Sequence, residues 1–191
     1  MVSLYFHIPF CTRKCPYCHF FVVKEDKDNK KQFLQALEKE WLAKKSLITT
    51  PIASIYFGGG TPSKLSLTDW KHIFSWFSDL SLDINCEITI ESNPEDLSKE
   101  YLEGLLSFGV NRLSIGIQSF HEKDLKLMNR AHNVQEAKQC LEIATQYFDN
   151  ISVDLIYGIP NSTNTEWLDN IKTALSFGVP HISSYALTVE P

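Results

Sequence analysis

Apolar and polar positions along the chain follow two periods in turn. Short runs rich in β-branched and aromatic residues, bounded by Gly, Pro, Asn or Ser, predict strands at 3–8 (SLYFHI), 53–58 (ASIYFG), 86–91 (CEITIE), 111–117 (NRLSIGI), 151–157 (ISVDLIY) and 181–187 (HISSYAL). Between these runs the apolar residues recur at helical spacing. Phe33, Leu34, Leu37, Trp41 and Leu42 predict one buried helix face, and Trp70, Ile73, Phe74 and Phe77 a second. Leu102, Leu105 and Leu106 mark a shorter third. Ala137, Cys140, Leu141, Ala144 and Phe148 predict a fourth, and Trp167, Leu168, Ile171 and Leu175 a fifth. SLTD at 66–69 reads as a capping box. The pentapeptide LSFGV occurs at 106–110 and again at 175–179, so Gly109 and Gly178 are expected at the left-handed position that stops a helix.

Strands that alternate with helices predict an α/β protein built of parallel βαβ units. Two architectures fit, an open doubly wound sheet and a barrel. The unusual residues gather after several consecutive strands: cysteines after the first, GGGTP after the second, ESNPE at the end of the third and QSF after the fourth. An open sheet concentrates its chemistry at one switch point, whereas a barrel distributes it over consecutive strand ends. The expectation is a parallel (β/α)6 partial barrel occupying 1–191 as one domain. No helical pattern follows the last strand run, so the chain is expected to be one part of a longer protein lacking a further carboxy-terminal domain.

Composition narrows the function classes. The 191 residues carry a net charge of −5, which gives no electrostatic footprint for nucleic acid. No apolar run approaches the roughly 20 residues that cross a bilayer. The start MVSLYFHIPF lacks the basic residues and cleavage site of a signal peptide. Five cysteines, three of them bunched, do not form a disulfide framework, and a reducing, cytoplasmic setting is the expectation.

Those three, Cys11, Cys15 and Cys18, stand at the spacing C-x3-C-x2-C. Structural zinc takes four protein ligands, usually as separated pairs, and a fourth is not evident here. CPYC could be a redox pair, which would leave Cys11 without a role. Three buried free thiols are the bland alternative. An iron–sulfur cluster held by three thiolates is the remaining reading, with one iron left open to an outside ligand. Cys86 and Cys140 read as core residues, and His7, His121 and His132 as hydrogen-bonding residues of strands or helices.

The cysteine spacing, with Tyr17 before the third cysteine, resembles the signature of the radical S-adenosylmethionine superfamily. YFHIPFC, CPYC, FGGGTPS, SIGIQSF, NRAH and DLIYGIP narrow the resemblance to the coproporphyrinogen III dehydrogenase-like family, from Tyr5 to Pro191. The resemblance implies a three-quarter TIM-like barrel. It also implies a [4Fe-4S] cluster on Cys11, Cys15 and Cys18, whose open iron chelates S-adenosylmethionine for cleavage to a 5′-deoxyadenosyl radical. By the same likeness Gly58, Gly59, Gly60 and Thr61 contact the methionyl part of the cofactor, Glu91 binds it through ribose hydroxyls, and Tyr5 and Tyr17 are further contacts. Gln118, Arg130, Asp154 and Ala186 match positions that contact a second S-adenosylmethionine. For Asp154, set in an apolar strand where a carboxylate needs a partner, an ion pair with Arg130 is the structural alternative.

The family contains tetrapyrrole-oxidising enzymes and haem chaperones. The enzymes typically carry an amino-terminal extension and a fourth cysteine two residues after the third. Here ten residues precede Cys11 and position 20 is Phe, so the likeness leans to the chaperones, whose pattern is close to CPYCDF; His19 replaces that Asp. Haem, a client protein that accepts it and a reductant such as flavodoxin or ferredoxin are the implied partners. The alternative is an oxygen-independent coproporphyrinogen III oxidase, or another radical enzyme acting on a tetrapyrrole.

Overall fold

The computed structural model describes residues 1–188; the last three positions of the expected domain, 189–191, lie outside them. In chain order the elements are β1 (Val2–Ile8), β2 (Phe10–Cys11), β3 (Val23–Lys24), α1 (Lys27–Lys44), β4 (Ile52–Gly59), α2 (Leu67–Ser75), β5 (Leu82–Ser92), α3 (Lys99–Ser107), β6 (Arg112–Gln118), α4 (Glu122–Leu127), α5 (Val134–Ala144), β7 (Ile151–Tyr157), α6 (Asn164–Ser176) and β8 (His181–Ala186).

Six strands form one parallel sheet in the order β1-β4-β5-β6-β7-β8. Neighbours in space are neighbours in sequence, so the sheet has no point at which the strand order reverses. That is the topology of a (β/α)6 partial barrel. Period-two alternation assigns the two faces of each strand. Phe6, Ile8, Ile55, Phe57, Ile88, Ile90, Leu113, Ile115, Val153 and Leu155 point outward into the helix layer, and all are buried. The opposite face carries Tyr5, Tyr56, Glu91, Ser114 and Asp154, so the inner wall is polar. Packed barrels fill that space with branched apolar side chains; this one leaves room for a ligand.

Several helices are capped by their own side chains, α2 as its sequence predicts. Ser66 and Asp69 form the capping box of α2, and Asn133–Glu136 and Thr163–Glu166 form those of α5 and α6. Gly109 (φ 88°) and Gly178 (φ 75°) adopt the left-handed conformation just beyond α3 and α6. An aromatic cluster glues α1 and α2 to the sheet, with Trp70 edge-on to Phe57 at 4.9 Å and Trp41 edge-on to Phe77 at 5.0 Å.

Four of the expected core leucines face solvent. Leu42, Leu106, Leu168 and Leu175 are exposed at 59%, 38%, 52% and 55% rather than buried. In α6 the inward face is Asn170 and Ala174, because the loop after β6 occupies that space and needs hydrogen bonds. Asn170 Oδ1 accepts the Phe120 N–H at 2.6 Å, and its amide donates to Ser119 Oγ. The short α4 and the β2–β3 pair carry no apolar periodicity long enough to read.

Candidate functional site

The cysteine segment is a closed excursion from the first strand. Phe10 and Cys11 pair in parallel with Val23 and Lys24, and the Val23 N–H donates to Pro9 O at 2.8 Å, so residues 12–22 leave and return at one place. Phe10, buried at 1% exposure and edge-on to Phe33, pins the base. The Cys18 N–H donates to Cys15 O at 3.1 Å, and both residues line the same cavity. On its far side the loop is tied to the α4–α5 connection: Arg13 Nη1 donates to Arg130 O, and Asn129 Nδ2 to Lys14 O.

Below the loop lies the strand-end glycine turn. The Gly60 N–H donates to Ile8 O at 2.8 Å. A Cβ at Gly60 would stand 2.7 Å from Pro9 C and 2.8 Å from Phe10 O, both backbone, so only glycine permits the approach that holds β4 against Cys11. Thr61 follows, and its Oγ1 lies 3.3 Å from Cys11 Sγ. Burial pushes the Cys11 thiol up, while the Thr61 hydroxyl and the Arg130 guanidinium pull it back.

Glu91 accepts from Tyr56 Oη at 2.8 Å and from the Gly59 N–H at 3.0 Å, which orients its carboxylate along the glycine turn. Asp154 accepts from Ser114 Oγ at 3.2 and 3.3 Å. Burial, reinforced by the Glu91 charge, pushes Asp154 up to about 6 against the hydrogen bonds from Ser114 and Ser183. The expected alternative partner, Arg130, is engaged elsewhere. It donates to Asn93 Oδ1 (2.8 Å), Gly116 O (2.7 Å), Tyr17 Oη (3.5 Å) and Cys15 Sγ (3.7 Å). Among the described residues Asp154 is therefore a carboxyl held by hydroxyls, with no ion-pair partner.

Gln118 sits at φ 71° where the β6–β7 register shifts, a bulge that re-aims its side chain at the end of β6. A cavity of about 560 Å³ opens over these groups. Its wall includes every site residue named from the sequence except Gly58, one residue before the lining, and Tyr5, which is 58% exposed on β1, its hydroxyl 3.2 Å from His7 Nδ1. Asn93, Ser114, Ile156 and Tyr185 also line it, and sequence reasoning passed over them. Ser114 could have been found by counting two residues on from Arg112 along the inward face of β6. The histidines act as expected, His7 with Phe21 O, His121 with Glu166 O and His132 with Ile117 O.

All five cysteines are free, and Cys86 and Cys140 are buried away from the cavity. Among the described residues no three His, Cys, Asp or Glu side chains converge closely enough to hold a single ion. Zinc needs its ligands roughly 2.3 Å from one point. A cubane takes its thiolates on separate irons, so three cysteines on one rim can hold a cluster without converging on one point.

The family model of the radical SAM superfamily matches residues 5–174. The chain belongs to the radical SAM superfamily. Its core aligns with the protein named "Heme chaperone HemW" of Haemophilus influenzae at 37% identity over 198 residues, covering 100% of this chain and 52% of that protein. The protein of that name from Bacillus subtilis is 38% identical over 199 residues, again with 100% and 52% covered. This radical SAM chain thus spans about half the length of these curated relatives. Among solved structures, coproporphyrinogen III oxidase (HemN) from Escherichia coli, described as a radical SAM enzyme, superposes with a TM-score of 0.90 at 28% identity, over 99% of this chain and 44% of that one. The methyltransferase TsrM from Kitasatospora setae, with cobalamin and a [4Fe-4S] cluster bound, shares the fold at a TM-score of 0.69 and 11% identity. Among the described residues no helix is long and apolar enough to cross a membrane.

Proposed function

We propose that this chain is the cluster- and S-adenosylmethionine-binding core of a haem chaperone. The observation that carries the reading is the trio Cys11, Cys15 and Cys18 on the rim of a cavity whose floor is the glycine turn, Glu91 and Asp154. The donor set fits the group: three soft thiolates, with Thr61 and Arg130 positioned to hydrogen-bond two of them. A bound [4Fe-4S] cluster would supply the electron that cleaves S-adenosylmethionine.

The chain's own groups divide the remaining work. The glycine turn at 58–60 brings backbone close to the ligand, as few side chains would allow. The Glu91 carboxylate, already oriented by Tyr56 and Gly59, keeps lone pairs for ribose hydroxyls. Asp154 offers a carboxylate to a cationic ligand on the β7 side, and Gln118 and Ala186 border the same space.

Phe at position 20, where the oxidase type carries a further cysteine, and the names of the relatives at 37% and 38% identity support the chaperone over an enzyme. A reductant of the flavodoxin or ferredoxin kind and a haem-accepting client belong to this reading. Titration of the full-length protein with haem tests it. Saturable binding at one haem per chain is expected, together with no conversion of coproporphyrinogen III under reducing, anaerobic conditions. Turnover of coproporphyrinogen without haem binding would instead establish the oxidase reading.

A further inference from the structure

Asn93 lies between two of the cluster-ligand cysteines and touches neither. Its Oδ1 accepts from Arg130 Nη2 at 2.8 Å, and Arg130 Nη1 reaches Cys15 Sγ at 3.7 Å. Its Nδ2 donates to Thr61 Oγ1 at 3.5 Å and to Glu95 Oε1 at 3.3 Å, and Thr61 Oγ1 lies 3.3 Å from Cys11 Sγ. One side-chain amide therefore closes the path Cys11–Thr61–Asn93–Arg130–Cys15.

The chemistry fixes the direction of each bond. Arg130 can only donate, so the amide oxygen must face it, and the NH2 group must face Thr61 and Glu95. A flipped amide would set donor against donor at Arg130 and acceptor against carboxylate at Glu95. Thr61 has a single hydroxyl proton. Accepting from Asn93 leaves that proton for Cys11 Sγ, so both sulfurs receive hydrogen bonds. No other residue of this size would serve: Asp would lose the donor and face Glu95, and Leu would lose both bonds.

The surroundings hold the amide rigidly. The Asn93 N–H donates to Ser63 Oγ, which donates to Asp96, itself ion-paired with Lys64. Glu95 lies 3.4 Å from the buried His132 ring, whose Nε2 bonds Ile117 O. Pro94 follows, and Asn93 takes the extended backbone that a residue before proline prefers (φ −99°, ψ 149°). Space for the amide–guanidinium pair depends on Gly116, where a Cβ would stand 3.2 Å from Arg130 Nη2 and 3.5 Å from Asn93 Oδ1.

We propose that Asn93 is a positioning residue that orients Thr61 and Arg130 as hydrogen-bond donors to Cys11 and Cys15, and so raises the reduction potential of the cluster. Hydrogen bonds to ligand sulfurs stabilise the more negative, reduced state. The inference rests on the cluster reading above, and the experiment separates the two.

Wild type, Asn93→Ala, Thr61→Val and Arg130→Met are reconstituted anaerobically, assayed for iron and sulfide, and titrated redox-potentiometrically with EPR detection. Asn93→Ala is expected to keep its iron content and its cluster-free melting temperature and to shift the midpoint to more negative potential. Combined with Thr61→Val or Arg130→Met, it should add less than the sum of the single shifts. Asn93→Leu, which preserves volume, should shift the midpoint in the same direction. A full cluster at the wild-type potential in both Asn93 variants overturns the proposal, as do strictly additive double variants. Loss of the fold in both variants also overturns it, because Asn93 would then be only structural. A wild type that takes up no cluster overturns the cluster reading itself.

Discussion

Asp154 is the side chain whose state the surroundings alter most usefully. Its carboxyl is raised from 3.8 to about 6 by burial and by Glu91, so in the ligand-free fold it holds its proton to a higher pH than a free aspartate and is ionised at neutral pH. A raised carboxyl contributes stability that is complete below about pH 4 and is lost as pH climbs through about 6. By linkage the loss is of order 2–3 kcal/mol. Urea denaturation of the ligand-free chain should therefore show a midpoint that falls between pH 4 and pH 7, and Asp154→Asn should remove most of that fall. A cationic ligand that needs the carboxylate behaves oppositely: its affinity should drop about tenfold from pH 7 to pH 5. Isothermal titration with S-adenosylmethionine checks this, and a flat profile in Asp154→Asn is the matching control. Gly60→Ala makes a second prediction at this scale. The added methyl meets the backbone of Pro9 and Phe10, so the variant should fold but lose most of its iron after reconstitution, because Cys11 is displaced.

At the scale of elements, the strands were legible because period-two runs bounded by turn residues have few other readings. The six sheet strands lie within a few residues of their expected positions, the amino end of β5 extending furthest, to Leu82. The capping box at 66–69 and the two LSFGV turns were legible for the same local reason. α6 was not. Its leucines suit a helix of either orientation, and what turned it was a polar requirement elsewhere: the backbone after β6 needs Asn170. Helical periodicity detects apolar faces and is blind to an inward polar residue that serves another element. Asn170→Leu should therefore destabilise the chain by about 1–3 kcal/mol in urea, despite the added apolar volume, by leaving the Phe120 N–H unpaired. Apart from Tyr5 and Gly58, the site residues carried over from the family pattern line one cavity, but Asn93 and Ser114 were missed. Neither stands out in composition, and each acts through a neighbour contributed by another strand or loop.

In the whole molecule, the feature that allows function is a barrel with a polar, open interior. Apolar residues crowd the outer face of the sheet, while Tyr56, Glu91, Ser114, Asp154 and Ser183 hold the inner one with hydroxyls and carboxylates. The cysteine excursion closes over the carboxyl-terminal strand ends, where a (β/α) barrel presents its chemistry. The account predicts that this mouth holds an iron–sulfur cluster with one iron open to S-adenosylmethionine. The most direct measurement is iron and labile sulfide after anaerobic reconstitution, with EPR of the reduced protein before and after S-adenosylmethionine is added. About four irons and four sulfides per chain, a spectrum that changes on adding S-adenosylmethionine and loss of both in Cys11→Ala/Cys15→Ala/Cys18→Ala are the expected result. No cluster in the wild type, or one that survives removal of all three cysteines, would contradict it.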